Sequence, residues 1–441
     1  MKRAWDFDVI VVGGGPAGST AARALALRGR RTLLLERERH PRFHIGESLL
    51  PLSGEVFRAL GLDDAVRGLG LVEKWGAVFV TPDGATERYA EFAACPEVRE
   101  PRTWQVLRSR FDEFLLRQAA AAGADVREEH RALDARFDDD GVDLELEDAS
   151  GTRRSVRAGA LVDASGRFGF LAKSMGLRRP DAALRKVAVF AHYEGVPREA
   201  GRRAGDIRIL TREDLGWFWV IPLDAERTSV GAVLDAAHHA SHPGLSPEER
   251  LEQCIAETPA AAALMRNARR AGPVRAEADF SYGTTRYAGD RWLLAGDAGS
   301  FLDPVFSTGV QIALRSGLEA AGALDRALAR GRFRARDFRG YEREQRRRYR
   351  HFRRLVRAFY RPEFRDLFFR PEAAPRMFRA VTTLLAGLER PRLATRLLWR
   401  LFFALVRLQR FFPLVPRLAA AAPPPPVPCS TTPRPAPGSS D

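Results

Sequence analysis

Gly13-Gly14-Gly15-Pro16-Ala17-Gly18 is the stretch from which the fold of this chain follows. It fits G-x-G-x-x-G. The apolar run Phe7–Val12 precedes it and reads as a buried strand. A helical stretch, Ala17–Arg28, opens from it and leads to a second apolar run, Arg31–Leu35. Strand, glycine turn, helix and strand in that order make a β-α-β unit. In such a unit Gly13 permits the tight turn. Gly15 lets a pyrophosphate approach the backbone at the positive end of the helix, with Ala17 in the first helical turn. Gly18 allows the helix to pack closely on the strand. Glu36 ends the second strand, 18 residues after Gly18, where a carboxylate can accept from both ribose hydroxyls. The expectation is a dinucleotide site.

The rest of the chain alternates sheet and helix. Arg108–Ala122 reads as a helix. Val126–Val156 reads as short alternating strands, with turns at Asp140-Gly141 and Ser150-Gly151, and Ala160–Asp163 as another buried strand. Lys186–Val196, Asp206–Thr211, Trp217–Pro222 and Thr228–Leu234 look like strands of a larger sheet. Arg291–Leu294 is a strand and Thr308–Arg330 a helix, and helix continues to about Leu418. From Ala419 the chain is Pro, Ser, Thr and Ala, including Pro423–Pro426, and is expected to be a disordered tail.

Composition bounds the function. A chain of 441 residues can bury a large core and form more than one domain. Cys95, Cys254 and Cys429 match no metal spacing or disulfide framework, so reduced thiols and a cytoplasmic location are expected. His238, His239 and His242 have no acidic or cysteine ligand close by, and no metal is expected there. No charge-free window is long enough to span a bilayer. The net charge is +15, and residues 341–417 alone hold 20 Arg, no Lys and 6 acids. Such an excess reads as solvated helix faces, as a surface for an acidic partner, or as a membrane face. No nucleic-acid motif accompanies it, so a nucleic-acid partner is not expected.

Further motifs carry a resemblance. Leu293-Leu294-Ala295-Gly296-Asp297-Ala298 is an apolar strand ending in Gly-Asp. It resembles the segment with which flavin monooxygenases of the p-hydroxybenzoate-hydroxylase type hold the ribityl chain, with Asp297 as acceptor. Val162-Asp163-Ala164-Ser165-Gly166-Arg167 resembles the middle motif of that superfamily. Phe43-His44-Ile45-Gly46-Glu47-Ser48-Leu49-Leu50-Pro51 resembles the flavin-strap loop of the flavin-dependent halogenases. Trp217-Phe218-Trp219-Val220-Ile221-Pro222 is similar to their W-x-W-x-I-P, and Phe301 to Gly309 to their F-x-x-P-x-x-S-x-G. Lys74 falls where that family keeps its catalytic lysine. The resemblance runs to about Tyr360 and is greatest to the subgroup acting on phenols and pyrroles, often on a carrier protein. Phe306 stands where the tryptophan-acting subgroup has an acid.

The resemblance implies a two-dinucleotide-binding-domain, Rossmann-like α+β flavoprotein. Its FAD domain would comprise 1–72, 104–182 and 286–335. An inserted substrate sheet would comprise 73–103 and 183–285, a basic helical region 336–418 and a tail 419–441. FAD, used as FADH2, would contact the glycine turn, Glu36, Ile45, Gly46, Glu47, Ser48, Asp297, Pro304 and Gly309, with Arg42 and Arg108 as pyrophosphate or flavin contacts. Reduced FAD activates oxygen, and bound chloride or bromide is oxidised to hypohalous acid. Backbone N–H groups of Thr308 and Gly309, at a helix start, would hold the halide. Lys74 would polarise the acid or form a chloramine, because a partly buried lysine shifts its pKa readily, and Ser307 would orient that lysine. Trp217, Trp219, Ile221, Pro222 and Phe306 would wall the flavin off from substrate.

The function implied is halogenation, chlorination first, of an electron-rich phenol or pyrrole, free or carrier-bound, in natural-product biosynthesis. A separate flavin reductase is expected, because no second G-x-G-x-x-G is present for NAD(P)H. Two alternatives stand beside it: a flavin monooxygenase or geranylgeranyl-reductase-like enzyme acting on a lipophilic substrate, and a non-catalytic flavin-binding interaction protein. Leu393–Phe412 reads as an amphipathic helix with Arg396, Arg400, Arg407 and Arg410. It would pack over the substrate domain, lie on a membrane, or line a pocket for a greasy substrate.

Overall fold

Parallel strands in register bring the scattered motifs to one edge. In a computed structural model, which describes residues 4–240, 243–278, 281–370 and 375–418, strand Phe7–Val12 lies between Thr32–Leu35 and Arg153–Asp163, with Trp292–Leu294 beyond. Val12 pairs with both Leu35 and Asp163, and Asp163 pairs with Leu294. All four strands therefore end at one level, followed by Gly13, Glu36, Ala164 and Ala295. The strands are buried on both faces, which is why they read as continuous apolar runs.

One strand is longer than its sequence suggests. Arg153–Asp163 is continuous: its first half pairs antiparallel with Val142–Glu147 and its second half parallel with Phe7–Val12. Arg157 breaks the apolar run in the middle. It is nevertheless buried, because its guanidinium donates to Asp138 and Asp143.

The second sheet runs in the order Arg269–Arg270, Lys186–Glu194, Arg227–Asp235, Trp217–Pro222, Ile207–Thr211, Gly76–Val80, Glu87–Glu91. In Trp217–Pro222 alternate side chains serve two cores. Trp217, Trp219 and Ile221 meet the C-terminal helices, while Phe218 and Val220 meet helix Pro247–Ala256. That helix was not anticipated, although its signal stands in Ser246-Pro247-Glu248-Glu249. Ser246 and Glu249 close a capping box over a Pro at the first turn.

The C-terminal helices Arg339–Phe359, Pro362–Phe368, Pro375–Leu385 and Leu393–Gln409 belong to the same core as the tryptophan strand. Rings do the packing: Phe79 meets Phe368 at 4.8 Å and Phe364 stacks on Phe368 at 5.4 Å. Many arginines of 341–417 are neutralised inside the fold. Arg348, 1 % exposed, donates to Glu389 at 2.7 Å and Glu319 at 2.9 Å. Arg353 and Arg357 both hold Asp181, at 2.5 and 2.7 Å. The basic surface suggested by the raw count is thus narrower than 341–417. Cys95 and Cys254 are free thiols, pushed up by burial to about 12 and about 11. Cys429, His242 and the proline-rich tail lie outside the described residues.

Removing Arg348 takes the nearest cation from Glu389 and Glu319 and leaves them Arg347 at 3.7 Å and Arg315 at 3.4 Å. Arg348→Ala is expected to lower unfolding free energy by about 3–5 kcal/mol, measured by denaturant titration. A loss under about 1 kcal/mol would mean that the pair is screened like a surface bridge.

Candidate active site

The site is a cleft of about 540 Å³ that runs from the glycine turn to the tryptophan strand. At one end Gly13 has φ +107°, and a Cβ there would sit 2.3 Å from the Ala164 carbonyl oxygen. A Cβ on Gly18 would sit 1.8 Å from the Gly13 oxygen. Gly15 differs. The nearest atom to a Cβ there is Nη2 of Arg42 at 3.7 Å, so the position opens into the cleft. Helix Pro16–Ala26 begins with Pro, no acid in its first turn and no side-chain cap. Its leading N–H groups are left for an anion.

The acidic and basic contacts are organised around this turn. Glu36 is buried, and its Oε2 accepts from the Gly14 N–H at 2.8 Å. Arg42 lies 3.4 Å from Glu36 and 3.6 Å from Asp112, and its buried Nε has no partner among the described residues. Arg108 is a bidentate partner of Asp112, at 2.7 and 2.8 Å, and its third nitrogen donates to the carbonyls of Ile45 and Gly46. It therefore holds the strap from below. Asp112 was not singled out from sequence; its position four residues after Arg108, one helical turn away, was the available signal.

The strap is fixed from three more sides. Val106 N–H donates to Glu47 O at 2.7 Å, and Leu49 N–H to Trp104 O at 3.0 Å. Oε1 of Glu47 pairs with Nε2 of His192 at 2.9 Å, while its buried Oε2 has no hydrogen-bond partner among the described residues. Ser48 Oγ accepts from Lys74 Nζ at 2.9 Å.

Asp297 lines the cleft, and burial pushes its carboxyl up to about 6 against the pull of Arg108, Arg167 and Arg178. Asp163 of the middle motif plays a local part: it accepts from the backbone of Ser165 and Leu171. A cradle at Gly15, the Arg42 nitrogen without a partner among the described residues and the Asp297 carboxyl in the cleft lining suit a pyrophosphate and a polyol chain. The donor set fits FAD.

At the other end Trp217, Trp219 and Ile221 line the cleft. Both indoles are tethered. Trp217 donates to Tyr360 Oη at 2.8 Å, Tyr360 donates to Asp303 at 2.6 Å, and Trp219 donates to Ser229 at 3.0 Å. Tyr360 and Asp303 were missed from sequence, since 57 residues separate them. Ser307, at φ +56°, starts helix Thr308–Arg330, which has no side-chain cap and no acid in its first turn. Pro304, Ser307 and Gly309 line the cleft, whereas Thr308 is buried beside it.

With Thr308, five expected residues lie outside the lining. Gly18 packs on the turn, Pro222 ends its strand, and Phe306 packs edge-on to Phe359 at 5.5 Å. Lys74 is 1 % exposed behind the strap, bonded to Ser48 and, at 3.0 Å, to the Leu49 carbonyl. Its hydrogen bonds go to these two and not to Ser307. Burial lowers its ammonium to about 7, with Asp206 opposing.

Comparison with known proteins agrees with this geometry. Residues 6–355 match the family model described as FAD binding domain. The chain is 36 % identical over 339 residues to flavin-dependent halogenase armH3 of Armillaria mellea, covering 72 % of this chain and 67 % of that protein. The chain belongs to the flavin-dependent halogenase family. It is a halogenating enzyme of that family, with FAD as its cofactor. It is also 33 % identical to a 1H-pyrrole-2-carbonyl peptidyl-carrier-protein brominase of Pseudoalteromonas luteoviolacea (strain 2ta16), covering 74 % of this chain and 79 % of that one. Its fold is similar to that of the flavin-dependent brominase Bmp2, with a TM-score of 0.81, 29 % identity, and coverage of 91 % and 100 %. The myxobacterial chondrochloren halogenase CndH aligns with a TM-score of 0.76 at 34 % identity, covering 92 % of this halogenase and 97 % of that chain. The halogenase thus spans about two thirds of its fungal relative and about four fifths of the bacterial brominase.

Two outcomes follow. Gly15→Val should yield a folded protein without flavin, because the added methyls fill only the cleft; full flavin absorbance in the purified variant would contradict the assignment. Lys74 also leaves a mark on stability. Its pKa is lowered on folding, so the unfolded chain binds the extra proton between about 7 and the ordinary 10.5. Stability should rise with pH across that window in the wild type, and less in Lys74→Met. Parallel pH profiles would show that the lysine is not desolvated.

Proposed function

We propose that this halogenase uses FADH2, oxygen and chloride, with bromide as a second halide, to halogenate an electron-rich phenol or pyrrole held on an acyl or peptidyl carrier protein. A separate reductase supplies the FADH2. The buried Lys74 behind the strap, hydrogen-bonded to Ser48 and lowered by burial to about 7, is the observation that carries the reading. The carrier-linked pyrrole named for the bacterial relative supports the substrate class.

Bound and reduced FAD would supply two electrons to oxygen and the halide two more, so that one oxygen atom leaves as water and the other in hypohalous acid. The chain's own residues do the rest. Free N–H groups at the start of helix Thr308–Arg330 bind halide without neutralising it. The tethered indoles of Trp217 and Trp219 exclude the aromatic substrate from the flavin, which counts against direct hydroxylation. Ser48, which lines the cleft and accepts from Lys74, marks the boundary the acid has to cross. The neutral amine of Lys74 then takes the halogen and releases water. The ring carbon receives the halogen, and the ring proton is lost as the amine re-forms.

Lys74→Ala should still consume oxygen and release hypohalous acid, yet give no halogenated ring by mass spectrometry; wild-type product yield would remove Lys74 from the mechanism. In the wild type, ring halogenation should rise with pH through about 7, as the amine loses its proton. Lys74→Arg keeps the charge and should stay inactive. For the carrier, kcat/KM for pyrrole-2-carbonyl carrier protein should exceed that of the free acid by about tenfold or more, equivalent to roughly 1.4 kcal/mol. Equal values would make the free acid the substrate.

A further inference from the structure

The outer face of helix Leu393–Gln409 is apolar and basic, and Glu97 meets the helix only at its start, accepting from the Arg392 N–H at 2.6 Å. In Leu393–Gln409, Trp399, Phe402, Phe403 and Val406 face the aromatic core. At about 100° per residue, Leu393, Leu397, Leu401 and Leu408 fall on the opposite side within an arc of roughly 80°. They are 66, 52, 49 and 40 % exposed. Phe411, Phe412 and Leu414, just past the helix end, are 73, 64 and 45 % exposed. Among the described residues thirteen large hydrophobic side chains are exposed, and seven of them lie in this one segment. Scattered apolar side chains are ordinary on a surface, but a contiguous ridge marks an interaction site.

The ridge has a basic border. Arg396, Arg400 and Arg407 fall in the adjoining arc of roughly 40°. With Arg392, Arg410 and Arg417 they are exposed, and none of the six makes an ion pair among the described residues. Residues 390–418 contain no Asp or Glu. Arg354, over the Phe403 ring at 4.2 Å, adds a further positive charge beneath Arg400 and Arg407. This is unlike helix Arg339–Phe359, where Arg348, Arg353 and Arg357 are answered by buried carboxylates.

We propose that this face docks the halogenase on an anionic lipid surface, the leucine and phenylalanine side chains entering the acyl boundary and the arginines binding headgroup phosphates. The ridge from Leu393 to Leu408 is about 22 Å long, at roughly 1.5 Å per residue, and offers no side-chain hydrogen-bonding group. Fluid acyl chains conform to such a surface, and a neighbouring row of arginines matches the headgroup layer. A second copy would bring six more arginines and no acid to answer them. A small acidic protein would answer the arginines but leave much of the ridge to water. No helix among the described residues is long and apolar enough to cross a membrane, so the contact is peripheral. The proposal does not depend on the identity of the ring that is halogenated.

The test is sedimentation of the full-length, FAD-loaded protein with vesicles of phosphatidylcholine alone or mixed with phosphatidylglycerol. The wild type should bind the anionic vesicles, less at high salt, and about fivefold more weakly for each of Arg396, Arg400 and Arg407 changed to Gln. Leu397→Asp with Leu401→Asp should abolish binding while leaving flavin content and FADH2-dependent hypohalous acid formation unchanged, since both side chains point away from the core. Failure of the wild type to bind either vesicle would overturn the proposal, as would undiminished binding by the leucine variant. Loss of a dimer or of a carrier-protein complex in that variant, with vesicles unbound throughout, would assign the face to protein and overturn it equally.

Discussion

The pair formed by Arg108 and Asp112 supports the whole active site. Both side chains are closed to water, so their attraction is weakly screened, and removing either would leave a buried charge. Arg108 has one nitrogen to spare, and it holds the carbonyls of Ile45 and Gly46. That contact ties the strap to the start of helix Arg108–Ala121. Glu47 ties the next residue of the strap to His192 on the second sheet. Ser48 ties the one after it to Lys74. Three consecutive residues thus connect the cleft, the second sheet and the buried lysine. A shift of the strap would be felt at all three.

The division of labour across the strap follows from electrostatics. On the cleft side the charged groups are numerous, and Asp297, pushed up by burial, sits among Arg108, Arg167 and Arg178. Behind the strap stands the Lys74 amine, desolvated, hydrogen-bonded to one hydroxyl and one carbonyl oxygen, with the Asp206 carboxylate only partly offsetting its burial. A lysine in that setting gives up its proton near neutral pH. The same residue on a strand surface would remain an ammonium and a poor nucleophile. The tethering of Trp217 through Tyr360 to Asp303 adds stiffness to the far wall, and it connects that wall to the C-terminal helices.

Local patterns were legible in the sequence and distant pairings were not. The glycine turn, Glu36, the strap and the W-x-W strand each announce themselves within a few residues, because backbone geometry and side-chain alternation impose short periods. Strand Phe7–Val12, strand Trp217–Pro222 and helix Thr308–Arg330 begin and end where their patterns do. The partners of those residues were hidden. His192 stands 145 positions from Glu47, and Tyr360 stands 143 from Trp217. Charge counting over 341–417 gave too broad a basic surface, since a sum of arginines says nothing of the carboxylates that fold against Arg348, Arg353 and Arg357. Ser307 and Lys74 both belong to family motifs, yet their hydrogen bonds run to different partners, and only the three-dimensional arrangement separates them.

In the proposed mechanism halide is held at one helix start and used by an amine on the other side of the strap. Anomalous scattering from crystals of the FAD-bound enzyme soaked in bromide tests it most directly. The account predicts a bromide peak within hydrogen-bond reach of the Thr308 and Gly309 N–H groups and none against Lys74. A peak at the Lys74 nitrogen, with the helix start empty, would contradict it.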